Sequence, residues 1–219
     1  MSISSHSEIK SLAKRSELHL ARRIWHVCCG VVCVIIHYSL DVAIIYWAYF
    51  GLVVALLGFY LDFKRLKNKE LNEALSRLFG PIMRRSEKIS FSGLPFYALG
   101  ASLSIFLYDE KIAILGILYL IFADPMASIA GVFLGKDRLL PNKTLQGTVA
   151  AFATCLIVSL IYSWVIGLKS PNLIIFIFFS AIVGAISELL SAFNIDDNLT
   201  IPVISGAGMT VLNLWLKVI

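Results

Sequence analysis

Seven apolar stretches, each close to the thickness of a bilayer, follow one another along the chain at residues 24–40, 42–61, 91–108, 112–134, 148–168, 172–193 and 200–218. A hydrocarbon core of ~30 Å takes roughly 20 apolar residues of helix, and backbone exposed to lipid must satisfy its own N–H and C=O groups. The expected fold is all-α: a multi-pass transmembrane helix bundle of about seven spans, one integral membrane domain over residues 1–219. Composition agrees, since 58% of residues are hydrophobic and only 15% charged, which excludes a disordered chain or a small disulfide-stapled domain. Cys28, Cys29, Cys33 and Cys155 fall inside apolar runs without the paired spacing of a zinc site and read as packing residues. A polar, charged start and the lack of a small-residue cleavage site after the first run make that run an anchor rather than a leader.

Lysine and arginine set the expected orientation, because basic loops stay on the cytoplasmic side. Five lie in the basic tail 1–23, eight in the connection after the second span and three after the fourth, against Lys111, Lys169 and Lys217 alone on the other side. The N-terminus is therefore expected in the cytoplasm. The net charge of +5 becomes a basic cytoplasmic face suited to anionic lipid or a polyphosphate. Nucleic acid is not an expected partner, since no soluble domain is left to hold it and no aromatics interleave the basic run. Within residues 62–90, Leu71, Leu75, Leu78, Phe79 and Ile82 recur at helical spacing, predicting a short amphipathic helix in the head-group layer that breaks at Gly80-Pro81.

Ionisable groups at membrane depth are costly unless paired or hydrated, so they mark candidate sites. Asp124 ends an apolar run and precedes Pro125, whose missing N–H leaves carbonyls free nearby; a packing role for the kinked helix is the competing reading. Gly131 and Gly135 form a GxxxG, a helix-packing pattern. Gly135-Lys136 is no P-loop, having Asp137 where Ser or Thr belongs. The loop 135–147 nevertheless offers Lys136, Lys143, Thr144, the open amide at Gly147 and, at a helix start, Thr148, all suited to phosphate. Glu188 lies deep in the sixth run, where a helix–helix hydrogen bond is the alternative. Asp196 and Asp197 are adjacent carboxylates that favour a hard cation such as magnesium, or else form a turn in which Asn198 caps the last helix. Arg22 and His26 share a helical face at the first span, and Arg85 brings further charge to the same side.

In order and spacing these residues resemble the CTP-dependent lipid-alcohol kinases, which include dolichol kinase, phytol kinase and the CTP-dependent diacylglycerol kinase. The resemblance covers most of the chain: Arg22-Arg23 with His26, Arg85 to Glu87 with Ser92-Gly93, Asp124-Pro125 to Gly131, Gly135-Lys136, Lys143-Thr144 with Gly147-Thr148, Glu188, and Asp196 to Leu199 with Pro202. Pro125 departs from it, since a small residue such as alanine is expected there. The resemblance implies transfer of the terminal phosphoryl group of CTP to the hydroxyl of a membrane lipid alcohol, with Mg2+. Asp124, Lys143 and Glu188 would then be catalytic, with Gly135, Lys136, Lys143, Thr144, Gly147 and Thr148 holding the nucleotide. Asp124, Asp196 and Asp197 would bind the metal, and Arg22, His26, Arg85 and Asn198 would meet lipid or phosphate. Whether Asp124 takes the hydroxyl proton or completes the metal site is open, as are the identity of the lipid and the oligomeric state. The rival readings are a phosphatidate cytidylyltransferase-like CTP enzyme and a small ion-coupled transporter using Asp124 and Glu188.

Overall fold

The structure, a computed structural model, describes residues 20–219 except Asp41, Pro81, Asn194 and Ile195, and without the side chains of Arg85 and Phe193. The tail before Leu20, the expected break at Pro81 and the side-chain contact of Arg85 thus lie outside the described residues.

Eight α-helices follow in order among them: α1 (Leu20–Ser39), α2 (Ile44–Lys67), α3 (Lys69–Phe79), α4 (Gly93–Leu107), α5 (Glu110–Phe133), α6 (Leu145–Val165), α7 (Leu173–Leu190) and α8 (Asp197–Leu216). Six of them, all but α3 and α4, are long and apolar enough to cross a membrane, and the fold is an all-α multi-pass bundle. The third expected span is the exception. As α4 it has only 15 residues, about 22 Å of helix, because residues 91 and 92 stay extended and Ser92 ties to α2 instead.

Helix α5 is the axis of the bundle. Of its apolar window 61% is buried, against 6% for α1 and 11% for α2, as expected of a helix apolar on every face. Its Ile112, Leu115, Tyr119 and Leu120 share one core with Cys155 and Tyr162 of α6, Phe176 and Ala181 of α7, and Ile201 and Met209 of α8. Since lipid is as apolar as these side chains, close packing rather than dehydration must hold such helices together. Two glycines show how close. Pro202 in α8 has no N–H for the Asn198 carbonyl, and Gly100 packs against that carbonyl so tightly that a Cβ would lie 2.2 Å from it. A Cβ on Gly147 of α6 would come within 2.9 Å of the Ala127 carbonyl of α5.

The predicted amphipathic helix is α3, with Asn68 as N-cap accepting from the Leu71 amide at 3.1 Å. Helix α2 runs six residues past its predicted end and so carries a buried ion pair that the sequence reading did not single out. Arg65 Nε donates to Asp62 Oδ1 at 2.5 Å, and its other nitrogens donate to the carbonyls of Glu87 and Ser90, both at 2.7 Å. Asp62 Oδ2 accepts from the Ser92 amide and hydroxyl at 2.7 and 2.8 Å. This network pins the segment from Glu87 to Ser92 against the end of α2. Between α5 and α6 a small hairpin pairs Arg138–Leu140 (β1) with Lys143–Thr144 (β2). Asn142 turns it with φ at 65°, a left-handed conformation that asparagine tolerates.

Candidate active site

One end of the bundle is hollow. A cavity of about 680 Å³ is walled by the start of α1 (Arg22, Arg23, His26), Arg84, α5 around Asp124, the hairpin (Arg138, Lys143, Thr144), the start of α6 (Gly147, Thr148), Glu188 of α7, and Asp196, Asp197 and Asn198. Five cationic and four acidic side chains therefore face one space. Two helix N-termini, of α6 and α8, face it, and the positive ends of their dipoles favour anions.

Asp124 sits on the cavity wall because the central helix carries it there. The helix stays continuous through Pro125, and α1 binds the polar backbone around that proline. Arg23 Nη1 donates to the Pro125 carbonyl at 3.0 Å and Nη2 bonds the Ser128 hydroxyl. His26 Nε2 meets the Leu120 carbonyl at 3.1 Å, so this nitrogen must carry the proton. Leu120 lies one turn before Asp124 on the same face. Among the described residues, the Asp124 carboxylate accepts no hydrogen bond, which sets it apart from the other three acids.

Those three are engaged. Lys143 Nζ pairs with Glu188 Oε1, while Glu188 Oε2 is buried with no partner among the described residues. Arg84 Nη2 pairs with Asp197 Oδ2 at 3.2 Å. Burial alone would lower the pKa of Arg84, but Asp197, Asp124, Asp196 and Glu87 outweigh it and hold the guanidinium above its ordinary range. Asp196, not Asn198 as one reading of the sequence had it, is the N-cap of α8, accepting from the Asn198 amide at 3.0 Å and its side-chain nitrogen at 2.6 Å. Burial, then the neighbouring Asp197 charge, push the Asp196 carboxyl up to about 6, against the pull of Asn198 and Arg84.

Arg22 is likewise held, donating to Glu87 Oε1 at 2.6 Å and to the Ile82 carbonyl at 3.3 Å. Glu87 also accepts from the amides of Arg84 and Gly93, at 3.0 and 3.1 Å. It is the joint that fixes the Arg84 segment to α1 and α4.

The phosphate loop is arranged differently from its sequence reading. The Gly147 amide is taken by the Thr144 hydroxyl oxygen at 3.2 Å, a helix cap, so it is not open for phosphate. Gly135 and Lys136 do not line the cavity; Lys136 is exposed. The amides of Lys136 and Asp137 are bound by Gln146 Oε1 at 3.0 and 3.3 Å, which folds the hairpin onto α6. In their place the hairpin brings in Arg138, which with Arg23, Arg84 and Ser128 was absent from the predicted site. Arg84 stands beside the predicted Arg85, and spacing alone offers no way to choose between adjacent arginines.

Residues 1–189 match the sequence profile of the cytidylyltransferase family; the Asp196–Asn198 turn lies beyond the match. Among curated proteins, the CTP-dependent diacylglycerol kinase 1 of Schizosaccharomyces pombe is 29% identical over 166 residues, covering 71% of this chain and 74% of that one. An uncharacterised protein of Rickettsia prowazekii is 29% identical over 154 residues, 68% of this chain and 74% of its own. The CTP-dependent diacylglycerol kinase 1 of Saccharomyces cerevisiae is 27% identical over 173 residues, 70% of this chain and 60% of its own. No solved structure matches.

Proposed function

The chain belongs to the cytidylyltransferase family, and from that premise we propose that it is a CTP-dependent kinase that phosphorylates the hydroxyl of a membrane lipid alcohol, diacylglycerol, at the cytoplasmic face. The carrying observation is the cavity itself: cations, carboxylates and two helix N-termini meet around Asp124, and residues of that cavity also line an apolar space between the helices. Phosphoryl transfer needs positioning and charge neutralisation more than covalent chemistry. The names of the yeast relatives support both donor and acceptor.

In this reading Arg23, Arg138 and Lys143 hold the triphosphate, with the N-terminus of α6 behind it. Lys143 reaches the phosphates while Glu188 keeps it in place. Asp124, the carboxylate without a hydrogen-bond partner among the described residues, accepts the lipid hydroxyl proton. Magnesium fits as a companion of the nucleotide rather than in a ready cage. Among the described residues no three His, Cys, Asp or Glu side chains gather to hold a metal, and magnesium commonly takes one or two carboxylates plus phosphate oxygens. Asp197, with the spare oxygen of Asp196, would hold it, and when bound it would neutralise charge on the β- and γ-phosphate oxygens.

The transporter reading draws no support from the geometry. Beyond Asp124, α5 continues into the packed core at Leu120, Tyr119, Leu115 and Ile112, not into a polar path. The test is to supply γ-labelled CTP with diacylglycerol or phosphatidate in micelles. Label entering diacylglycerol, with CDP released, is expected. A CMP-lipid formed from phosphatidate with release of pyrophosphate would instead make the chain a cytidylyltransferase in activity as well as in family.

A further inference from the structure

A second space, of about 510 Å³, lies between α1, α2 and α4. Its walls are almost wholly apolar. Helix α1 packs on α5 and has little contact with α2, and both α1 and α2 are mostly exposed along their apolar lengths. Along α1 the slot runs from Arg22 to His37, about 22 Å of helix. That exceeds the ~15 Å depth of one leaflet's hydrocarbon. Leu75 and Phe79 of α3, the amphipathic helix, line it as well. Arg22, His26 and Asn198 line both the slot and the charged cavity, so the two spaces share one wall next to Asp124.

Two buried donors along this apolar slot, Tyr97 Oη and Trp47 Nε1, have no hydrogen-bond partner among the described residues. An unmet donor in such surroundings is costly and implies an acceptor to come. Tyr97 is the informative one. Its ring stands edge-on to His26, with centroids 4.7 Å apart, and its hydroxyl lies against Gly30, one turn deeper than His26 on α1. A hydroxyl donor just below the mouth matches a lipid whose ester carbonyl lies just below its alcohol. An isoprenoid alcohol has no acceptor at that depth.

We propose that the slot between α1 and the α2–α4 pair is the acceptor-lipid site, entered sideways from the bilayer, with the alcohol at Arg22, His26 and Asn198 and Tyr97 donating to an ester carbonyl of an acylglycerol. The proposal deepens the kinase reading and rests on it. Tyr97 is then a specificity-determining residue.

Cys29 and Cys33 are free thiols on the slot wall, whereas Cys28, on the same helix and also free, is not part of it. In nanodiscs, diacylglycerol at about ten times its dissociation constant should slow labelling of Cys33 by a lipophilic maleimide roughly tenfold and leave Cys28 unchanged. Equal slowing of both thiols, or of neither, overturns the slot. With γ-labelled CTP, Cys33→Trp should raise the KM for diacylglycerol roughly tenfold with the KM for CTP unaltered. Tyr97→Phe should narrow the preference for diacylglycerol over phytol by about three- to tenfold; an unchanged ratio removes Tyr97 from the site. Thiol protection does not depend on turnover, so a chain that protects Cys33 yet transfers no phosphate would sink the kinase reading and leave the lipid site standing.

Discussion

Lys143 and Glu188 pair with 16% and 4% of their side chains exposed, and a buried acid stripped of its cation costs more than the pair contributes. Lys143→Ala is therefore expected to abolish transfer and also to destabilise the protein, by on the order of 3 kcal/mol. Adding Glu188→Gln should restore the melting temperature in detergent but not the activity. Recovery of activity in the double variant would take Lys143 out of phosphate binding. Asp124→Asn, by contrast, should lose turnover while the melt and CTP binding stay intact, because its carboxylate holds no described partner. Asp196 offers a pH test. Its carboxyl is raised to about 6 from about 4 when unfolded, so the native state favours the protonated form. That stability is fully present below about pH 4 and is lost as pH rises through about 6. Asp196→Asn, which keeps the cap, should match the parent chain at pH 4 and exceed it by up to about 3 kcal/mol at pH 7.5, read from melts at the two pH values.

At the scale of elements, the end of α2 and the segment from Arg84 to Gly93 act as one clamp. Arg65 is 2% and Asp62 4% exposed, and Arg65 binds the carbonyls of both Glu87 and Ser90. Arg65→Met should release the segment, freeing Glu87 from its place between Arg22 and the Arg84 amide. The expected outcome is a loss of about 3–5 kcal/mol and a rise in the KM for CTP, with kcat less affected because Asp124 stands on α5. Proteolysis near Ser86, measured with and without the substitution, reports the release directly.

For the whole molecule, the charge asymmetry of the loops predicts that the cavity faces the cytoplasm. In a chain with its own cysteines replaced, a cysteine at exposed Asp137 should react with a membrane-impermeant maleimide from the cytoplasmic side, and one at Lys169 from the other. The reverse pattern would place the site outside, away from cytoplasmic CTP. Arrangement along the chain also explains how much of the site could be foreseen. Asp124 and Glu188 were legible because each is too polar for the apolar run around it, Lys143 because it stands in a loop suited to phosphate, and Asp197 because it adjoins a second carboxylate. Arg23 stood among the residues of the resemblance but, like Arg84 and Arg138, was given no role in the site, since an arginine at a membrane boundary has the same sequence context whether it anchors to head groups or turns inward.

Hydropathy and loop charge alone determined that the chain folds as a helical bundle in a bilayer and which ends of its helices gather on one side, because both follow from the cost of placing peptide groups and cations in hydrocarbon. The third expected span, α4, is shorter than its apolar run, because residues 91 and 92 stay extended where Ser92 is bound by Asp62. Only the tertiary structure decided which donors are already taken. The Thr144 cap occupies the Gly147 amide, Asp196 caps α8, and Glu87 holds Arg22. Such choices depend on distances between residues far apart in the chain, and no local pattern of residue types contains them.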